Sequence, residues 1–292
     1  MTLLLALLAL VAFAANSILC RLALAGGHVD AASFTSLRLL SGVAVLVPLA
    51  MARRPAAPRA PSGASLAPRR AGLGGSFAAG LALALYALPF SFAYLSLTAG
   101  TGALLLFGAV QGTMIAAGLI AGERPGAVEW IGFALALAGL VLLVAPGVEA
   151  PPPIAALLMI VAGAAWGIYS LLGRAAVDPI AATAGNFVRA APWACAVSVV
   201  TLAAAHADRR GAILAALSGG VTSGLGYVLW YAALPGLGAM RAATAQLAVP
   251  AIAALAGVLL LGETATPRLA GAAALVLGGV ALALRGRASA SR

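Results

Sequence analysis

Lysine is absent from this chain, and the whole charge inventory of its 292 residues is seventeen arginines and seven carboxylates. Charged residues amount to 8% of the sequence, where a soluble globular domain carries about 25%. So few charges cannot cover a water-facing surface, which excludes a soluble domain of any size. The two histidines, His28 and His206, fall in loops with no ligand cluster around them. The two cysteines, Cys20 and Cys195, lie inside apolar runs and read as small hydrophobes. No metal centre, disulfide framework or cofactor is expected. The motifs of catalysis and of nucleotide binding are missing too: no His-Glu-x-x-His, no Gly-x-Ser-x-Gly, no Walker loop.

What is there is apolar. Hydrophobic residues make up 63% of the chain, and the mean hydropathy is +1.09. A membrane helix needs about 20 mainly apolar residues, because its backbone groups must satisfy one another in hydrocarbon. That template predicts ten segments, at 3–24, 31–52, 72–96, 101–121, 127–146, 154–175, 179–205, 212–234, 239–261 and 267–284. Breakers and charges mark the joints, as in Gly26-Gly27-His28-Val29-Asp30, Pro151-Pro152-Pro153 and Asp178-Pro179. The longest joint, Arg53 to Arg70, is rich in Pro, Ala and Arg and reads as a mobile loop. No basic residue precedes the first apolar run, which is longer than a signal peptide's and reads as a retained helix.

A net charge of +10 could point to nucleic acid. The arginines instead follow the positive-inside rule. With the N-terminus inside, eleven of them, among them Arg53, Arg54, Arg124, Arg174 and Arg285, fall on the cytoplasmic side, and only Arg209, Arg210 and Arg268 fall opposite. Both termini are therefore expected in the cytoplasm, with anionic lipid rather than nucleic acid as the partner of the positive charge.

The two halves match weakly but in register. Ala121-Gly122-Glu123 closes the fourth segment and Leu261-Gly262-Glu263 the ninth, and Arg38 in the second segment pairs with Arg189 in the seventh. Five is an odd number of crossings, so the second half must enter from the opposite side. That predicts an all-α integral membrane fold of ten helices, in two inverted five-helix repeats spanning 1–146 and 147–292.

Phe34 to Arg38, Gly122-Glu123-Arg124-Pro125 with Trp130-Ile131-Gly132, and Gly262-Glu263-Thr264 together resemble the drug/metabolite transporter superfamily in its EamA-type form. Within it the chain is similar to the YddG-like amino-acid and metabolite exporters. The resemblance implies ten helices, cytoplasmic termini, and a central substrate cavity lined mainly by helices one, three, four, six, eight and nine.

Polar groups at membrane depth are costly and mark candidate sites. None of the seven carboxylates lies in the middle of a segment, so the pathway offers no proton-coupling carboxylate and facilitative transport is expected. The neutral polar and aromatic residues on the implied cavity helices are the substrate-binding candidates: Asn16, Tyr86 and Gln111 in the first half, Trp166, Tyr169, Tyr227, Trp230 and Gln246 in the second. Trp166 and Tyr169 share one helix face, as do Tyr227 and Trp230. Such rings can stack on an apolar or aromatic side chain, while Asn16, Gln111 and Gln246 can hold a zwitterion without a fixed charge.

Arg38, Glu123, Arg189 and Glu263 are read as structural, tying helix ends or carboxylates together, and Pro250, like Pro89 and Pro192, as a kink inside its helix. Phosphorylated sugars are disfavoured because no buried cation is expected among the central helices. The expected function is a secondary carrier that exports small metabolites, first of all apolar or aromatic amino acids, by alternating access. A drug or other-metabolite exporter, a passive channel and, from a different class, an intramembrane enzyme are the alternatives. Ten helices can enclose a cavity in a monomer, and the all-Arg, Ala-rich composition points to a bacterial inner membrane.

Overall fold

The structure, a computed structural model, describes residues 2–52, 73–120, 122, 126–145, 150–174, 176–246 and 248–290. Glu123 and the Arg53–Arg70 joint lie outside the described residues. The first half supplies α1 (Thr2–Ala25), α2 (Ala31–Ala52), α3 (Phe77–Ala93), α4 (Ala99–Ile120) and α5 (Ala127–Val144). The second supplies α6 (Pro153–Gly173), α7 (Pro179–Val200), α8 (Arg209–Leu217), a π-helical segment (Ser218–Leu225), α9 (Gly226–Gln246), α10 (Ala248–Leu261) and α11 (Pro267–Ala290).

Among the described residues five stretches are long and apolar enough to span a bilayer: α1, α2, α4, α6, and the run Arg209–Leu234 through α8, the π segment and the start of α9. The apolar helices α3, α5 and α10 are shorter. With α7, diluted by Asn186 and Arg189, and α11, they complete a ten-helix all-α membrane protein. Lipid takes one face of each helix and protein the other. On α1, Leu4, Leu7, Leu8 and Val11 are exposed while Ala6, Ala9, Leu10 and Phe13 are buried.

Local chemistry sets the ends. Asp178 caps α7 by accepting from the N–H groups of Ile180 and Ala181, with Pro179 in the first turn, where its missing N–H costs nothing. Gly122 and Gly262 adopt positive φ (86° and 66°) just past α4 and α10, a backbone that favours glycine. The same residue thus closes the fourth helix of each half.

The helices pair as a two-fold axis exchanging the halves would pair them. α2 lies on α7, α4 on α10 and α5 on α11, each helix against its own counterpart. Likewise α3 packs on α6 as α1 packs on α9, and α4 on α6 as α1 on α10.

Two expected features are corrected by the structure. The joint placed between 234 and 239 is helical, because α9 runs on to Gln246. The eighth segment is no uniform α-helix but changes to π geometry at Ser218.

Candidate functional site

The centre of the bundle is a cluster of aromatic rings drawn from both halves. Phe13 of α1 meets Trp166 and Trp230 edge-on, with ring centres 5.5 and 5.7 Å apart. Trp166 of α6 lies 5.0 Å from Tyr86 of α3 and 4.6 Å from Tyr227 of α9. Tyr169 stacks on Trp166 at 5.3 Å. Geometries of this kind contribute about 0.5–1.5 kcal/mol per pair beyond burial. Within the cluster is a cavity of about 10 Å³, lined by Phe13, Asn16, Ser17, Tyr86, Phe90, Leu106, Phe107, Trp166 and Tyr227. That is room for about one water. The rings are closed on one another.

A polar chain runs beside the rings. Asn16 Oδ1 accepts from the hydroxyls of Ser218 (2.6 Å), Thr222 (3.4 Å) and Ser223 (3.3 Å), and its Nδ2 donates to Tyr86 Oη at 3.3 Å. The π segment makes this convergence possible. Its wider turn brings residues five apart onto one face, so Ser218 and Ser223 reach the same oxygen. Gly219 lets the segment lie directly on α2, where any Cβ would meet Arg38 O and Ser41 Oγ.

Arg38, expected to tie helix ends or carboxylates together, ties α2 to side-chain hydroxyls of other helices. It is 1% exposed and ends at no carboxylate or helix terminus among the described residues. Its Nε donates to Ser223 Oγ at 3.0 Å, and its Nη2 donates to Tyr86 Oη (3.1 Å) and Tyr227 Oη (2.9 Å). Its guanidinium carbon lies 5.2 and 5.1 Å from the ring centres of Tyr86 and Phe90, a cation–π arrangement. The central helices therefore do contain a buried cation. The sequence placed Arg38 correctly along α2 but could not say what stands across from it.

The other candidates sort by contact. Asn16, Tyr86, Trp166 and Tyr227 line the cavity, and Tyr169 and Trp230 back its walls. Gln246 is buried and accepts from Trp166 Nε1 at 3.5 Å. Gln111 is buried one turn along α4 from Phe107 and is not part of the cavity wall. Arg189 donates to the carbonyls of Gly74 and Gly185 (2.9 and 2.8 Å), holding the segment that precedes α3. Glu263 accepts from Ala99 N–H at 2.8 Å, placing its charge at the N-terminus of α4, and pairs with Arg21 Nε at 3.4 Å.

Sequence reasoning missed Phe13, Asn186 and the hydroxyls at 218, 222 and 223. Asn186, whose Nδ2 donates to Tyr169 Oη at 3.5 Å, carried a signal: an amide one turn from Arg189 at membrane depth. The small hydroxyls carried none, because serine and threonine can satisfy themselves on a helix backbone.

An uncharacterized protein of Pseudomonas aeruginosa is 51% identical over 287 residues, which cover 98% of this chain and 95% of that one. A solved crystal structure shares the fold with a TM-score of 0.66 at 20% identity, covering 96% of this chain and 97% of its own. A model of the EamA-like transporter family matches twice, over residues 1–145 and 153–285, so that each copy contributes rings to the central cluster. Matched by both copies over nearly its whole length, the chain belongs to the EamA-like transporter family.

Proposed function

We propose that this protein exports small metabolites, foremost amino acids with apolar or aromatic side chains, across a bacterial inner membrane by alternating access, with both termini in the cytoplasm. One observation carries the reading. A buried aromatic cluster with an amide and hydroxyl chain along one side lies where the two halves meet. Rings from each half must part for a substrate to enter, so occupancy and the relative position of the halves are coupled. An apolar side chain would replace ring–ring contact with ring–substrate contact, while Asn16 and its neighbours offer hydrogen bonds to a polar end.

Transport is proposed to be facilitative. The described carboxylates Asp30, Glu129, Asp178, Asp208 and Glu263 all stand at helix ends or in loops. The test is uptake of labelled L-phenylalanine and other amino acids by purified protein in liposomes, with Trp166→Ala alongside. Saturable uptake is expected, reduced about tenfold or more in the variant, the size expected for removing a central aromatic anchor. Imposing a pH gradient at constant membrane potential should leave the wild-type rate unchanged; acceleration would contradict the facilitative mode. No uptake of any amino acid, with saturable uptake of other organic solutes, would shift the substrate to drugs or other metabolites.

A further inference from the structure

Two buried N–H groups at the cluster have no hydrogen-bond acceptor among the described residues: Arg38 Nη1 and Trp230 Nε1. Buried donors are almost always paired, and a guanidinium without a counter-ion is a costly thing to hold at membrane depth. Arg38 has five N–H donors, and the partners found for them are three neutral hydroxyls, those of Ser223, Tyr86 and Tyr227. The described carboxylates are engaged elsewhere: Asp30 with Ser33 and His206, Asp178 with the start of α7, Asp208 with His28 and Gly211, Glu129 with Gly126, Glu263 with Arg21 and Ala99.

Arg38 stands directly behind the cavity wall. Tyr86 and Tyr227, which take its Nη2, and Phe90, which lies against its guanidinium face, all line the cavity. Packing alone does not account for a cation here, because an apolar residue of similar length would fill the space without the desolvation cost. What is missing is an acceptor with negative charge.

We propose that Arg38 receives the carboxylate of the transported molecule, and that the site selects for that carboxylate rather than for an ammonium group. The proposal rests on the transport reading of this cluster and narrows its substrate to aromatic or apolar monocarboxylates, amino acids included. When the rings part, the substrate's carboxylate takes the unpaired Nη1 of Arg38, with the hydroxyls of Tyr86 and Tyr227 as further donors. Its apolar body lies among Phe13, Trp166 and Tyr227. An ammonium group meets no counter-charge among the described residues and is repelled by the guanidinium. The protein thus tolerates the amine of an amino acid but does not require it. This is the reverse of the sequence reading, in which uncharged amides recognised a zwitterion.

The test needs no variant at first. Binding of three probes to wild-type protein in lipid nanodiscs is measured by tryptophan fluorescence, since phenyl ligands do not fluoresce with the indoles. L-phenylalanine has both charged groups, 3-phenylpropionate only the carboxylate, and L-phenylalaninamide only the amine. The acid should bind at least as tightly as the amino acid, and the amide about tenfold or more weakly than the acid, the size of a charge-assisted hydrogen bond. Arg38→Gln should bring the acid down to the level of the amide, and Arg38→Lys should restore part of the difference. If Arg38→Gln does not fold, Ser223→Ala, which removes the Nε partner while keeping the charge, should weaken the acid more than the amide. Equal binding of acid and amide by the wild type overturns the Arg38 assignment and leaves transport standing. No binding of any probe by folded protein overturns both the assignment and the amino-acid reading.

Discussion

Asn16 has one amide oxygen and three hydroxyl groups directed at it, and it lies one hydroxyl away from Arg38 through Ser223. Replacing it by aspartate changes almost no volume but supplies the anion that the site otherwise lacks. An internal carboxylate there would satisfy the hydroxyls as before and attract the guanidinium. It would also compete with the carboxylate of a bound molecule. Asn16→Asp should therefore melt at a higher temperature than the wild type and bind 3-phenylpropionate about tenfold more weakly. A variant that binds as the wild type does would mean that Asn16 and Arg38 do not share a ligand. At this scale the sequence was most informative for large polar residues. Asn16, Tyr86, Trp166 and Tyr227 stand out because each is expensive in hydrocarbon. It was least informative for Arg38, whose partners Ser223 and Tyr227 lie 185 and 189 residues away.

The element that brings those residues together is the π segment on α2. Gly219 is the point of contact, and a methyl group there would collide with the backbone of Arg38. Gly219→Ala should lower the melting temperature in detergent, at a cost of about 1–3 kcal/mol, and weaken binding of carboxylate probes by displacing Arg38. Gly112→Ala on α4 is the matched control. A Cβ at Gly112 meets nothing within 4 Å, so the substitution should be neutral or stabilise slightly. The four-residue spacing of Gly108/Gly112 and of Gly163/Gly167 does not separate these cases. Gly163 and Gly167 do seat α6 against the backbone of α4, whereas Gly112 is open. Most helix positions were legible, since length and apolarity decide them. The switch to π geometry was not, because Ser218-Gly219-Gly220-Val221-Thr222 offers no periodicity that distinguishes one helix type from another. The continuation of α9 through Pro235 was missed because Pro235-Gly236 reads as a break in sequence.

Over the whole molecule, alternating access requires that contacts between the halves on one side break while the cluster opens. Such contacts join the loops at the far end of α1. Val29 and Ala207 form a short antiparallel bridge, Asp208 N–H donates to His28 O, and Asp30 N–H donates to His206 O. Asp30 Oδ2 in turn accepts from His206 N–H at 2.9 Å, and the His28 ring meets Asp208 Oδ2 at 2.7 Å. This clasp ties the first loop of one half to the stretch between α7 and α8 of the other, so opening that side means undoing it. Hydrogen bonds from Gly211 N–H and from His28 hold the Asp208 carboxyl below its ordinary value. For Asp30, burial acts upward, but the N–H groups of Ser33 and His206 outweigh it and the net direction is also down. A carboxyl with a depressed folded value contributes stability that is complete above the unfolded value and is lost as pH falls through the folded one. At neutral pH Asp208→Ala should therefore melt below the wild type, having lost both the cap on α8 and the bond to His28. As pH drops below about 4, the ordinary carboxylate range, protonation removes the same interactions from the wild type and the two melting curves should converge. A gap between the curves that is the same at pH 3 and pH 7 would show that the charge of Asp208 contributes nothing to the clasp. If the clasp also governs opening, exchange of labelled substrate across liposome membranes should be faster in Asp208→Ala than in the wild type at pH 7, because the contact that must break on that side has been weakened in advance.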